Sequence, residues 1–179
     1  MKSRIACFTI VLAFLPGLVF GQTQSVSMTR EQVASGIPPS DGELTPAVQS
    51  YITRGSVAWG DKAVALYREA AKTARRQGHL PSLSMWRLAN QYFADGDAVR
   101  AGRVLDDLAD EAAERGDLGV QALAIHYSAW LYGKAGRGPE FEKRMNRLLN
   151  LLDSPYLPVA VRDAINESLN ASNQIAGGR

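Results

Sequence analysis

From Thr45 onward the apolar residues recur at the spacing of a helix face, and the runs are broken by glycine turns. Between Asp97 and about Arg115, the apolar positions are Ala98, Ala101, Val104, Leu105, Leu108, Ala109, Ala112 and Ala113. Steps of three and four residues place them on one side of a helix, with Arg100, Arg103, Asp106, Asp107, Asp110 and Glu111 mostly on the other. Alanine dominates this stripe, so a partner helix is expected to approach at the near end of the usual ~8–10 Å spacing. The preceding segment, Ser82 to Ala94, carries Leu83, Met85, Trp86, Leu88, Ala89, Tyr92 and Phe93. Those are too many large side chains for one narrow stripe, and the helix is expected to be covered on two faces. Gly96 suits the positive φ that ends a helix, and Asp97 suits the N-cap of the next one.

The flanking sequence follows the same plan. Thr45-Pro46 is an N-cap followed by proline at the first helical position, and Val48, Tyr51, Ile52, Gly55 and Trp59 form a loose face. Gly60-Asp61 opens a helix to about Gln77 with Ala63, Tyr67, Ala70, Ala71 and Ala74 on one side, and Gly78 ends it. After Gly116-Asp117, the segment Leu118 to Lys134 is again rich in large apolar groups. Pro139 then starts a helix in which Phe141, Met145, Leu148, Leu149 and Leu152 predict a buried stripe. Gly60 and Gly96 are 36 residues apart, Gly78 and Gly116 are 38 apart, and Gly96 and Gly136 are 40 apart. A drifting period in this range predicts an all-α solenoid of about three antiparallel helix hairpins over residues 45–152. Asp153-Ser154-Pro155 interrupts it. Residues 153–172 predict a capping helix with Val161, Ala164, Ile165 and Leu169 on its apolar side, and 173–179 a frayed tail.

The central hairpin resembles the tetratricopeptide repeat: Met85, Leu88, Ala89, Tyr92, Gly96, Ala101, Leu105 and Leu108 stand in that family's order and spacing. It departs from the pattern at Met85, where tryptophan is commonest, and in lacking proline near Arg115. The resemblance implies a right-handed α-α superhelix whose first helices line an inner surface. It places Trp86, Asn90 and Phe93 there from the second hairpin, His126, Trp130 and Lys134 from the third, and Arg54 from the first. An aromatic patch with a few donors and cations suits a peptide or protein partner. The competing reading is that both tryptophans are core, as large aromatics often are.

The N-terminus changes the picture. Lys2 and Arg4 precede an apolar run from Ile5 to Leu15, Pro16-Gly17 breaks it, and Val19-Phe20-Gly21 offers a small residue for cleavage. Residues 1–21 are therefore expected to be a secretory signal, giving a periplasmic or secreted protein that meets the membrane only through that segment. Residues 22–44, polar and rich in Ser, Gly and Pro, predict a flexible linker. Loss of Lys2 and Arg4 would take the formal net charge from +2 to zero, which argues against a nucleic-acid partner. Arg75-Arg76, Arg144/Arg147 and Asp106/Asp107/Asp110 are expected to be solvated helix faces. The single cysteine, Cys7, lies in the leader, and two histidines without cysteine make no zinc motif. No metal, cofactor or enzymatic activity is expected. A hydrolase pairing His126 with Asp95 or Glu140, and a structural subunit that associates with itself, are the alternatives to a binding module.

Overall fold

The computed structural model describes residues 36–177. The expected signal, residues 22–35 of the expected linker and the last two residues of the tail lie outside the described residues. Among the described residues there are seven helices and no strand. In chain order they are α1 (Pro46–Ser56), α2 (Gly60–Arg76), α3 (Ser82–Ala94), α4 (Ala98–Glu114), α5 (Leu118–Lys134), α6 (Gly138–Leu152) and α7 (Val159–Gly177). Consecutive helices from α1 to α6 pack against each other, and α7 packs onto α5. None of these helices is long and apolar enough to cross a membrane.

The turn chemistry follows the sequence. Gly96 has a φ of 87°, and the other turn glycines, Gly60, Gly78, Gly116 and Gly136, are also in the left-handed region that side chains resist. Thr45 accepts a hydrogen bond from the Val48 amide, and Asp97 and Asp117 accept from the amides of Arg100 and Val120 at 2.8 and 2.9 Å. Each cap satisfies an amide that the first helical turn leaves without a partner.

The alanine-rich stripe of α4 is the centre of the packing. Ala101, Leu105, Leu108, Ala109 and Ala112 are fully buried, and α5 lies close against them. At Gly102 the approach is so tight that a Cβ would sit 2.9 Å from the Tyr132 ring, so only glycine fits. Helix α5 is buried almost all round, from Gly119 to Ile125 and again at Ser128, Ala129, Leu131 and Tyr132, because α4, α6 and α7 all pack on it. Complete burial of a leucine or isoleucine, as at Leu123 and Ile125, contributes about 1.5–3 kcal/mol each.

Four expectations need correction. Trp59 lies beyond the end of α1 and is 86 % exposed, so it does not share the α1 face with buried Val48 and Gly55. The apolar stripe of α6 is buried only at Leu148: α5 covers one side of α6, α7 packs on α5 instead, and Phe141 and Leu149 are left exposed. Helix α7 continues to Gly177, past the expected fraying point. The described end of the linker, residues 36–44, packs on α3, with Ile37 and Glu43 buried to 2 % and 0 % exposure.

Candidate functional site

Aromatic side chains of α3 and α5 meet in two separate clusters, set one after the other in a row along the two helices. The ring centroids of Trp86 and Tyr127 are 4.4 Å apart, those of Phe93 and Trp130 5.2 Å apart, and those of His126 and Tyr127 5.5 Å apart, all tilted. Such tilted pairs match the edge-to-face preference of aromatic quadrupoles. The Lys134 ammonium lies 5.5 Å from the Trp130 ring centroid, one helical turn along α5, where the negative face of the ring attracts it. Asn90 is exposed on α3, four residues after Trp86 and three before Phe93, and so belongs to the same helical face.

Of the residues singled out from the sequence, Trp86 and His126 meet through Tyr127, and Phe93, Trp130 and Lys134 form a second cluster. Arg54 joins neither: its guanidinium lies 5.8 Å from the ring of Tyr51 on its own helix, and no contact among the described residues ties it to the row. The groove-or-core alternative for the tryptophans is resolved differently for each. Trp86 is half-buried, packed on the core and covered by the backbone at Gly36, where a Cβ would come within 2.7 Å of the indole. Trp130 is 44 % exposed and its neighbour Phe93 39 %. The row therefore has a covered end at Trp86 and an open end at Phe93 and Trp130.

Sequence reasoning left Tyr127 and Ser168 out of the site. Tyr127 joins Trp86 to His126, and it sits one position off the four-residue spacing that picked out His126 and Trp130. Ser168, from α7, lies with its hydroxyl 3.1 Å from His126 Nε2. His126 Nδ1 is buried without a hydrogen-bond partner among the described residues. Burial pushes the imidazole pKa below its ordinary 6.5, so the ring is neutral near pH 7. The carboxylates considered for a catalytic pair are engaged elsewhere: Glu140 with Arg137, and Asp95 with Gln91.

The buried imidazole makes stability depend on pH. The folded pKa is depressed, so the unfolded chain binds the proton more readily. The folded state is favoured in full above ~6.5 and loses stability as pH falls from there through the folded value. Urea midpoints measured at pH ~7.5 and ~5 are expected to show this acid-side loss, and His126→Gln is expected to reduce it. An identical pH dependence in the variant would assign the effect to other groups.

On the other side of the fold, Asp106 of α4 is neither a cap nor a solvated side chain. Its Oδ1 accepts from the buried Ser128 hydroxyl at 2.5 Å, its Oδ2 accepts from the Tyr132 hydroxyl at 3.0 Å, and Arg144 of α6 donates to both oxygens at 3.1 and 2.5 Å. The basic spots read as solvated faces are likewise paired between helices: Arg147 with Asp110 at 2.7 Å and Arg75 with Glu111 at 2.9 Å.

Beside Glu43, residues 36–44 are tied to the chain just ahead of α3 and to its first turn. The Ser40 hydroxyl donates to the Leu80 carbonyl, and the Ser82 hydroxyl lies 2.6 Å from the Pro38 carbonyl oxygen. Comparison of the chain with protein-family models, with curated proteins and with solved structures gives no match.

Proposed function

We propose that this chain is an exported interaction module of the tetratricopeptide type, a right-handed stack of three helix hairpins capped by α7, that binds a peptide or protein segment in the cell envelope. The observation that carries this reading is the open end of the aromatic row: Phe93 and Trp130, paired and each more than a third exposed, with Lys134 above Trp130. Paired aromatics left partly in water, with a cation and the Asn90 amide nearby, have the composition of binding hot spots rather than of a solvated helix face. The basic, apolar and small-residue order of residues 1–21 supports export, and the recurrence of the glycine turns supports the repeat assignment.

A crosslinking pull-down from the native envelope tests the reading, with the wild-type chain beside Phe93→Ala/Trp130→Ala. The double variant is expected to lose a captured partner while keeping its helical circular dichroism, because both side chains project partly into solvent. Truncation of two such anchors would weaken binding by at least tenfold. Equal capture by wild type and variant would sink the reading. Crosslinks only to a second copy of the chain would favour self-association instead. That second reading draws support from the exposed Phe141, Leu149 and Tyr156 toward the C-terminal end of the stack.

A further inference from the structure

We propose that the groove between α2 and α4, on the face of α3 opposite Trp86, is a binding site for an oxyanion, the carboxylate or phosphate group of a small ligand. Its volume is about 360 Å³, within the range of small-molecule sites. Met85, Leu88 and Tyr92 recur at three- and four-residue steps along α3 and form its floor with Ala71 of α2. Arginines from both walls stand over that floor. Arg68 of α2 donates to the Tyr92 hydroxyl at 2.5 Å, with its guanidinium 5.8 Å from the ring centroid. Arg100 of α4 lies 5.1 Å from the same centroid, and Arg103 lines the groove one turn farther along.

Two cations held around one ring, with a third on the same wall, repel each other unless something neutralises them. The protein does so only in part. Arg75 is paired with Glu111 and Arg100 with Asp97, whereas neither Arg68 nor Arg103 makes an ion pair with a described residue. The acid that lines the groove is Asp107. It is exposed on α4 and makes no ion pair with a described residue; partial desolvation first, then the charge of Asp106, raise its pKa against the opposing charge of Arg75. Planar guanidinium groups match the oxygen spacing of carboxylates and phosphates, so the groove that Arg68 and Arg103 both line offers an oxyanion two cations not already held in ion pairs. The neighbouring groove between α4 and α6 is the contrast. It is similar in size, about 390 Å³, and shares Arg103 and Asp107, but its other arginines are neutralised, Arg144 by Asp106 and Arg137 by Glu140.

Isothermal titration of the purified full chain at low ionic strength, with pyrophosphate and separately with citrate, tests this. Saturable binding of at least one probe is expected, weakened about tenfold by Arg103→Gln and lost in Arg68→Gln/Arg103→Gln. Arg103 makes no hydrogen bond to a described residue but lines the neighbouring groove as well, so Arg68→Gln, which lines this groove and not the other, is measured beside it and is expected to weaken binding about as much. Arg137→Gln, which removes a charge from the neighbouring groove, is expected to bind as wild type. Saturation by pyrophosphate alone would identify a phosphate ligand, and by citrate alone a carboxylate ligand. No saturation with either probe overturns the proposal. So does unchanged affinity in Arg103→Gln, or an equal loss in Arg137→Gln, which would reduce the effect to diffuse charge.

Discussion

Replacement of Glu43 by alanine is expected to destabilise the folded chain by about 3–4 kcal/mol, a fall of roughly 10 °C in Tm for a domain of this size. Helix α3 begins after Pro81, which has no side chain able to cap it. The carboxylate that does so arrives from about 40 residues upstream. Oε1 of Glu43 accepts from the Ser84 amide and hydroxyl, both at 2.8 Å, and Oε2 accepts from the Leu83 amide at 2.9 Å. Oε2 also lies 3.0 Å from the Ser82 hydroxyl and 3.3 Å from the Ser40 amide. Glu43, Ser82 and Ser84 are all fully buried, so these donors have no water to turn to when the carboxylate is removed. A buried donor left without a partner costs about 1–3 kcal/mol, and several are orphaned together. Among the described residues the negative charge has no basic partner and is held by these donors and by the positive end of α3. Glu43→Gln keeps one oxygen but turns an amide group toward donors, and is expected to lose about half as much. Urea unfolding followed by circular dichroism measures the loss. Hydrogen exchange at the Leu83 and Ser84 amides, protected in the wild type, is expected to become fast in Glu43→Ala. A loss below about 1 kcal/mol with both amides still protected would show that the cap is not the source of stability.

This contact also marks where the sequence stopped being informative. Helices α1 to α7 were legible because apolar residues recur at helical spacing between glycine turns, a local signal. The burial of Glu43 depends on two serines some 40 residues away, and a polar, proline- and glycine-containing stretch carries no local sign that its acid will be enclosed. The same limit applies to α6. Its apolar spacing is helical, yet the spacing cannot say whether a further helix will arrive to cover Phe141 and Leu149. In the candidate site, an offset of about 40 between hairpins aligns Trp86 with His126 and Asn90 with Trp130, whereas the ring that meets Trp130 is that of Phe93. The offset passed over Tyr127 because the true ring pairs, 41 and 37 residues apart, do not share one register. The family resemblance places Arg54 on the inner surface, but its guanidinium stays on α1 beside Tyr51.

Asp106→Ala is the second large effect, expected at about 3 kcal/mol. Periodicity assigned Asp106 to the polar side of α4 and was right about the side, but a polar side facing another helix need not face water. The Asp106 and Arg144 side chains are only 21 % and 18 % exposed, and their paired geometry ties α4 to α6 across Tyr132. Arg144 also stacks its guanidinium 4.4 Å from the Tyr132 ring centroid. Removing the carboxylate leaves a largely enclosed cation and two hydroxyls, those of Ser128 and Tyr132, without their acceptor. Asp106→Ala/Arg144→Ala is therefore expected to lose less than the two single losses added together, with a coupling of about 2 kcal/mol in a double-mutant cycle. Tyr132 supplies a separate optical reading. Burial first, then the charge and hydrogen bond of Asp106, raise its pKa from 10.0 to about 12. Because the folded value lies above the unfolded one, this contribution to stability is complete below pH ~10 and is lost as pH rises toward ~12. In Asp106→Ala the phenolate absorbance is expected to appear at lower pH than in the wild type, because the charges of Arg144 and Arg103 then act without the opposing carboxylate. Additive single losses together with an unmoved Tyr132 titration would mean that the carboxylate is only a surface partner of Arg144 and not the junction of α4, α5 and α6.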